Sequence, residues 1–400
     1  MIDASDLIER HPELRLELIP SDRIHEHNRS RRLTAFGGYE LWRVAAFDRS
    51  RTGVIVSFFR GDPFDADYRQ RVFDGRAGRA VESASMRPSS YPAVEIVVFS
   101  KGQLVAHSHA MAPPGAFAEA ATNENPWWIR VATDQFQAEG GGWRLVASGV
   151  GRRLGLDGVR RPGPTPDGAI RVELNVQPAF STTTVQRASA PDSPSGARHD
   201  WLLACPSAVV SGEVEFRSAL GRVERLRAES WRGSVEHLWG SGPFGEGFRR
   251  WRCARLSWSD GAVVSELVIL KKFIQIAGTL MIFRPDELPV IARCERPPET
   301  DYERGAWLLA FPLSMTWRSI DGVHEITHDR ATPGLVRPHR AFGFSRATLE
   351  SGEPPHEFVL ENAPGVFEII QPARLDWRLW RPWVRSWPRP SEPTPESDGK

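Results

Sequence analysis

A chain of 400 residues is long enough for two domains, each with its own core. Hydrophobic residues make up 40% of it and charged residues 25%, and 51 basic against 50 acidic residues leave a net charge of +1. That balance argues against a general nucleic-acid-binding protein, which needs a strongly basic face.

Residues 1–35 read as an arm with one weak helix, and their opening, MIDASDLIERHPELRLELIP, lacks the basic-then-apolar order of a secretion signal. Short apolar or alternating runs follow, split by turn residues: YELWRVAAF (39–47), GVIVSFFR (53–60), AVEIVVF (93–99), QLVAHSHA (103–110), WIRVATDQF (128–136), GWRLVASGV (142–150) and AIRVELNV (169–176). After a Pro/Ser-rich loop (186–198) come VVSGEVEF (209–216), RRWRCARLSWS (249–259), AVVSELVILKKF (262–273), IAGTLMIF (276–283), GVHEITH (322–328) and VFEIIQ (366–371). Many short strands with almost no helical period predict an all-β protein, and about twenty are too many for one small barrel, so two are expected. The run 375–390 is dense in Trp and Arg with no acid after Asp376; it reads as a closing strand or as an interfacial anchor, and its prolines argue against a long amphipathic helix. The last residues, 390–400, are disordered by composition.

Tryptophan is the compositional outlier, 15 against four Tyr, and some of these indoles are expected to line a cavity for a bulky, unsaturated or aromatic ligand. Cys205, Cys253 and Cys294 lie far apart with no CxxC, which fits a reducing compartment or incidental core positions. No run reaches the roughly 18 apolar residues of a membrane span. The expectation is a cytoplasmic protein, with peripheral membrane contact left open.

Three motifs invite chemistry they do not support. Gly240-Ser241-Gly242-Pro243-Phe244-Gly245 has the spacing of a dinucleotide loop but lacks the buried parallel strand before it and the helix after it. HEITH (324–328) has the spacing of a zinc protease motif, yet on a strand its two His lie roughly 13 Å apart, too far for one zinc. HSH (107–109) could set two imidazoles on one strand face, with no third ligand evident, so a satisfied polar face is expected. No serine sits in a nucleophile elbow. No metal and no cofactor are expected.

In ESWRGSVEHLWGSG, strand alternation puts Ser234, Glu236 and Leu238 on one face and Val235, His237 and Trp239 on the other. A carboxyl facing the inside of an apolar barrel stays protonated near neutral pH, because burial disfavours its charged form, and can donate a proton. The competing reading is a surface Glu, or one paired with Arg232 or Arg249.

This stretch resembles the signature of the carotenoid hydratase (hydroxyneurosporene synthase) family, Gly-Tyr-x-Asp-x-Asn-x-Gly-x-x-Pro. It reads here Gly233-Ser234-Val235-Glu236-His237-Leu238-Trp239-Gly240-Ser241-Gly242-Pro243, with a Trp/Arg strand (248–258) after it. Residues 37–68 resemble the family's opening hairpin, and ARHDWLLACPSAVVSGEV (197–214) is similar to its His-x-Trp segment. The resemblance spans roughly residues 37–375 and implies two consecutive lipocalin-like (calycin) antiparallel β-barrels. With it go the expected boundaries: arm 1–35, first barrel 36–245, second barrel 246–376, tail 377–400.

The resemblance also implies a site. His199 and Trp201 stand where the family has its His and Trp, Glu236 replaces its Asp, Ser234 its Tyr and Leu238 its Asn. The implied reaction is acid-catalysed hydration or cyclisation at the terminal double bond of a hydrophobic isoprenoid such as an acyclic carotenoid. Glu236 would give the proton, His199 would hold it or position water, and Trp201 and Trp239 would stabilise a tertiary carbocation. Ser234, His237 and Trp239 would line the substrate site. The partner expected is the hydrophobic small molecule, with no protein partner readable. The alternatives are a non-catalytic carrier of such a ligand and a pericyclase-like enzyme that mainly folds its substrate.

Overall fold

A computed structural model describes residues 14–120, 126–151, 168–189, 197–218, 223–270, 276–294, 301–304, 310–336, 340–352 and 358–371. Strands of two antiparallel sheets make up most of them. The first contains β1 (Leu14–Ile19), β2 (Tyr39–Phe47), β3 (Gly53–Arg60), β4 (Ala93–Ser100), β5 (Gln103–Met111), β6 (Phe117–Glu119) and β7 (Trp128–Val131). It continues with β8 (Asp134–Glu139), β9 (Gly142–Gly151), β10 (Gly168–Pro178), β11 (Thr184–Ser189), β12 (His199–Ser218) and β13 (Val223–Gly240). Its order is β5-β4-β3-β2-β13-β12-β10-β9-β8-β7-β6, with β11 on β12 and β1 on β11. β5 and β9 close on each other, Ser108 packing so tightly on Gly149 that a Cβ there would stand 2.3 Å from its hydroxyl.

The second sheet contains β14 (Phe248–Trp258), β15 (Gly261–Leu270), β16 (Ile276–Phe283), β17 (Val290–Cys294) and β18 (Asp301–Arg304). To these it adds β19 (Ala310–Arg318), β20 (His324–Val336), β21 (Arg340–Ser351) and β22 (Phe358–Ile370), in the order β17-β16-β15-β14-β22-β21-β20-β19-β18. A bridge between Cys294 and Ser319 and the bond from Ile320 N–H to the Arg293 carbonyl at 2.9 Å tie its edges into a nearly closed barrel. The fold is thus two consecutive lipocalin-like β-barrels, all-β as the strand pattern predicts.

The period-2 alternation of strands assigns every side chain a layer. Inward residues of the first sheet, among them Trp42, Phe136, Trp143, Val235 and Trp239, fill the first barrel. Ala254, Leu256, Trp317, Leu349 and Phe367 fill the second. The opposite faces of β2, β4, β12 and β13 meet the outer faces of β14, β21 and β22, where Leu41, Trp201, Leu203, Trp251 and Ile370 form a third apolar layer between the barrels.

Helices are few: one turn α1 (Ile24–His27), α2 (Ala66–Arg76) and one turn α3 (Phe244–Gly247). The sequence offers no periodic signal for α2, because DYRQRVFDGR is charged on every side; what starts it is a cap, the Tyr68 N–H donating to Asp65 Oδ1 at 2.6 Å. Tyr68 then anchors it through its hydroxyl on the Gly38 carbonyl at 2.7 Å. Among the described residues no helix is long and apolar enough to cross a membrane. The Trp/Arg-rich run at 375–390 lies outside the described residues.

Candidate active site

The expected site residues sit on two adjacent strands, β12 and β13, whose register sets Trp201 opposite Leu238 and Leu203 opposite Glu236. His199, Trp201 and Glu236 therefore share one face, and the structure brings Trp201 and Glu236 into contact, the indole Nε1 standing 3.4 Å from Glu236 Oε2. Ser234 is on that face too. His237 and Trp239 are not: they point into the first barrel, where Trp42 stacks on His237 at 4.5 Å. A single site cannot use all six, because a one-residue step along a strand reverses the side chain.

Glu236 does not face the inside of an apolar barrel, as the sequence reading expected. It faces the second barrel, and Arg255 of β14 meets it with both a Nε and a Nη2 hydrogen bond, the latter 2.6 Å. The arginine is neither Arg232 nor Arg249, because the pair crosses between barrels and depends on which face of β14 looks back. Both Glu236 oxygens accept N–H donors, so a proton placed on either would confront a donor instead of an acceptor.

This pair is one part of a buried ionic layer. Glu368 of β22 accepts from Arg43 Nη1 at 2.5 Å and Arg340 Nε at 2.9 Å, with Arg255 at 3.6 Å. Arg340 reaches on to Glu95 at 2.7 Å, and Glu95 meets His107 at 3.1 Å. Burial alone would raise both carboxyls; the arginines outweigh it and hold Glu368 low and, with His107, Glu95 well below the usual carboxylate range. The HSH motif resolves in the same way: both imidazoles lie on the inter-barrel face of β5, His109 on Asp62 at 2.6 Å. HEITH lies on β20, with His324 on the Ser351 hydroxyl and His328 on that of Ser345. Among the described residues no cluster of His, Cys, Asp and Glu is arranged to hold a metal.

His199 has a different setting. Its Nδ1 stands 3.1 Å from the Tyr39 hydroxyl, and each residue is 1% exposed. Burial and then the charge of Arg187 pull the imidazole down to about 3, and burial pushes the phenol well above its ordinary value. Both are neutral at physiological pH, and a hydrogen bond links them, with the Tyr39 O–H or the Nδ1–H as donor according to the tautomer. Gly240 explains part of the glycine run: a Cβ there would lie 2.4 Å from the Tyr39 ring and 2.7 Å from His199 Nδ1. The loop's glycine makes room for this pair, not for a phosphate.

Phe244 of α3 closes the pair off, with ring centroids 5.2 Å from Tyr39 and 6.3 Å from His199. Its far side lines a cavity of about 280 Å³ between α2 and α3, walled by Tyr68, Val72 and Phe73 with Arg76 and Glu246 ion-paired at its rim. Tyr39 was missed in the sequence because it lies some 160 residues before His199 in the chain; only the β2–β13–β12 order makes them neighbours.

No protein-family model and no curated protein sequence matches the chain. Solved structures do. A protein assigned as AttH from Nitrosomonas europaea superposes with a TM-score of 0.53 at 12% identity, over 87% of this chain and 95% of the other. CghA with Sch210972 gives 0.46 at 13%, over 89% and 98%. Kievitone hydratase from Nectria haematococca gives 0.46 at 10%, over 84% and 89%. At 12% identity the likeness to the first of these is one of fold, and none of the three is named as a carotenoid hydratase.

Proposed function

We propose that the protein is an enzyme of hydratase or cyclase type acting on a hydrophobic, unsaturated small molecule, with the His199–Tyr39 pair at the reacting end of the α2–α3 cavity. The observation that carries this reading is the buried hydrogen bond between Tyr39 and His199, packed against Phe244, whose ring also lines the cavity. A volume of about 280 Å³ lies at the foot of the roughly 300–1,000 Å³ range of ligand pockets. It suits a compact substrate or the end of a longer chain such as an isoprenoid.

In this reading Tyr39 donates to Nδ1, and the neutral imidazole donates through Nε2–H. It polarises a carbonyl or holds a hydroxyl; it is too weak an acid to protonate an isolated alkene. The favoured substrate therefore has its double bond conjugated to a carbonyl. As water or an internal hydroxyl adds at the far carbon, the double-bond electrons move onto the carbonyl oxygen, where the His199 donor stabilises the charge; the proton shed by the nucleophile is taken up at the α-carbon as the carbonyl re-forms. The reading in which Glu236 protonates an isolated terminal double bond requires Arg255 to release both carboxylate oxygens first.

The test is turnover, followed by mass spectrometry in ¹⁸O-labelled water, of conjugated enones and of acyclic isoprenoids by wild type and Tyr39→Phe. Enone turnover that drops at least tenfold in Tyr39→Phe supports the proposal. Turnover of isoprenoids alone, untouched by that variant, rejects it. Binding of both classes with no turnover makes the protein a carrier.

A further inference from the structure

β13 carries His237 and Trp239 away from the inter-barrel layer and into one end of the first barrel. Trp42 stacks on His237 with 16° between the rings, and the Trp239 ring lies 4.7 Å from that imidazole. Residues 24–32 roof this end. The Trp42 Nε1 donates to the Asn28 carbonyl at 2.9 Å, and the Ser30 hydroxyl donates to the Glu40 carboxylate at 2.9 Å, as does the Arg31 N–H. The Arg31 guanidinium lies over the Trp239 ring at 4.4 Å. Arg32 beside it is left-handed at φ +52°, a conformation that non-glycine residues seldom adopt.

Beneath the roof the hydrogen bonding is incomplete. Asn28 and His237 are each 0% exposed, yet both side-chain polar atoms of Asn28 and both ring nitrogens of His237 meet no hydrogen-bond partner among the described residues. The Glu40 carboxylate stands 3.7 Å from His237 Nε2, near enough to attract a charge there but too far for a well-formed hydrogen bond. Buried polar groups are nearly always paired, and leaving them unpaired is destabilising. His237 lies between the Trp42 and Trp239 indoles, and a planar cation already rests on the second of them.

We infer that this end of the first barrel is a second small-molecule site, on the opposite sheet face from His199, and that it takes a flat aromatic molecule carrying a hydroxyl group. The ring takes the face of Trp239 that Arg31 now covers. The hydroxyl pairs with the unpaired groups of Asn28 and His237. Binding therefore competes with Arg31, and the roof must give way at that residue for the site to fill. Nothing in this inference depends on the chemistry assigned to His199.

Calorimetric titration with 2-naphthol and with naphthalene tests it, together with crystals soaked in 2-naphthol. Wild type should bind 2-naphthol at least fivefold more tightly than naphthalene. Arg31→Ala should tighten 2-naphthol about fivefold, by removing the competing cation from the indole face. His237→Phe, which keeps a ring in the stack and removes its nitrogens, should erase the difference between the two probes. Electron density should place the ring on Trp239. Ordered water alone on Asn28 and His237 overturns the inference. So does 2-naphthol found only in the α2–α3 cavity, an Arg31→Ala protein of unchanged melting temperature that binds no better, or a His237→Phe protein that still prefers 2-naphthol.

Discussion

Glu368→Gln should destabilise the protein by about 3–5 kcal/mol, the range for removing one partner of a buried ion pair. Glu368 is completely buried and touches three guanidiniums, those of Arg43, Arg340 and Arg255. Glutamine keeps the shape and one acceptor oxygen but removes the charge, leaving the three arginines to share Glu95 and Glu236 in a layer without water access. Set against the 5–15 kcal/mol of a typical native state, that loss is large. At roughly 2–4 °C per kcal/mol for domains of this size, the melting temperature should fall by about 6–20 °C. The assay is thermal unfolding followed by near-ultraviolet circular dichroism, since Trp201 and Trp251 pack in the same layer. A drop of under 2 °C would refute the view that these charges hold the barrels together.

Acidification gives a second check. His199, at about 3, and His237 and His328, at about 4, are all held down by burial, from an ordinary value of 6.5. Below pH 6.5 the unfolded chain binds protons that the folded chain refuses, so stability should decline on acidification by up to about 4 kcal/mol per pH unit near pH 5. Urea unfolding that is flat between pH 7 and 5 would contradict it. Glu95 and Glu368, held low by their arginines, contribute stability that is present above the ordinary carboxylate value and lost only at still lower pH. Gly240→Ala should force Tyr39 and His199 apart and cost about 1–3 kcal/mol together with most turnover; a melting curve and a rate like those of wild type would remove the pair from the site. Cys205 and Cys294, whose thiols burial pushes up to about 12, should resist a thiol reagent in the native state and react after denaturation. Rapid labelling of the folded protein would show that these positions open.

The all-β fold was legible because each strand announces itself locally, through apolar runs and turn residues at 53–60, 93–99 or 276–283. Strands that lack such a run were missed: β21, RAFGFSRATLES, opens on Arg340 of the inter-barrel layer and alternates with polar residues, and α2 has no apolar stripe. The Ser234/Glu236/Leu238 face was readable from period 2, but what that face meets was not. Arg255, Arg340 and Glu368 come from the other barrel, and only tertiary packing turns an acid that looks isolated in Glu-His-Leu-Trp into an arginine partner. Tyr39 is the same lesson with a gain: the signature tyrosine's place holds Ser234, while a tyrosine from a strand far away in sequence reaches His199.

The most direct test of the site is the turnover of one conjugated substrate by His199→Gln and Glu236→Gln, measured side by side at a temperature where both are folded. If His199 stabilises the developing charge, His199→Gln should lose about a hundredfold or more in kcat, the range for removing such a donor, while Glu236→Gln keeps its kcat and loses stability. A hundredfold loss in folded Glu236→Gln, with His199→Gln still active, would move the chemistry to Glu236 and contradict the site described here.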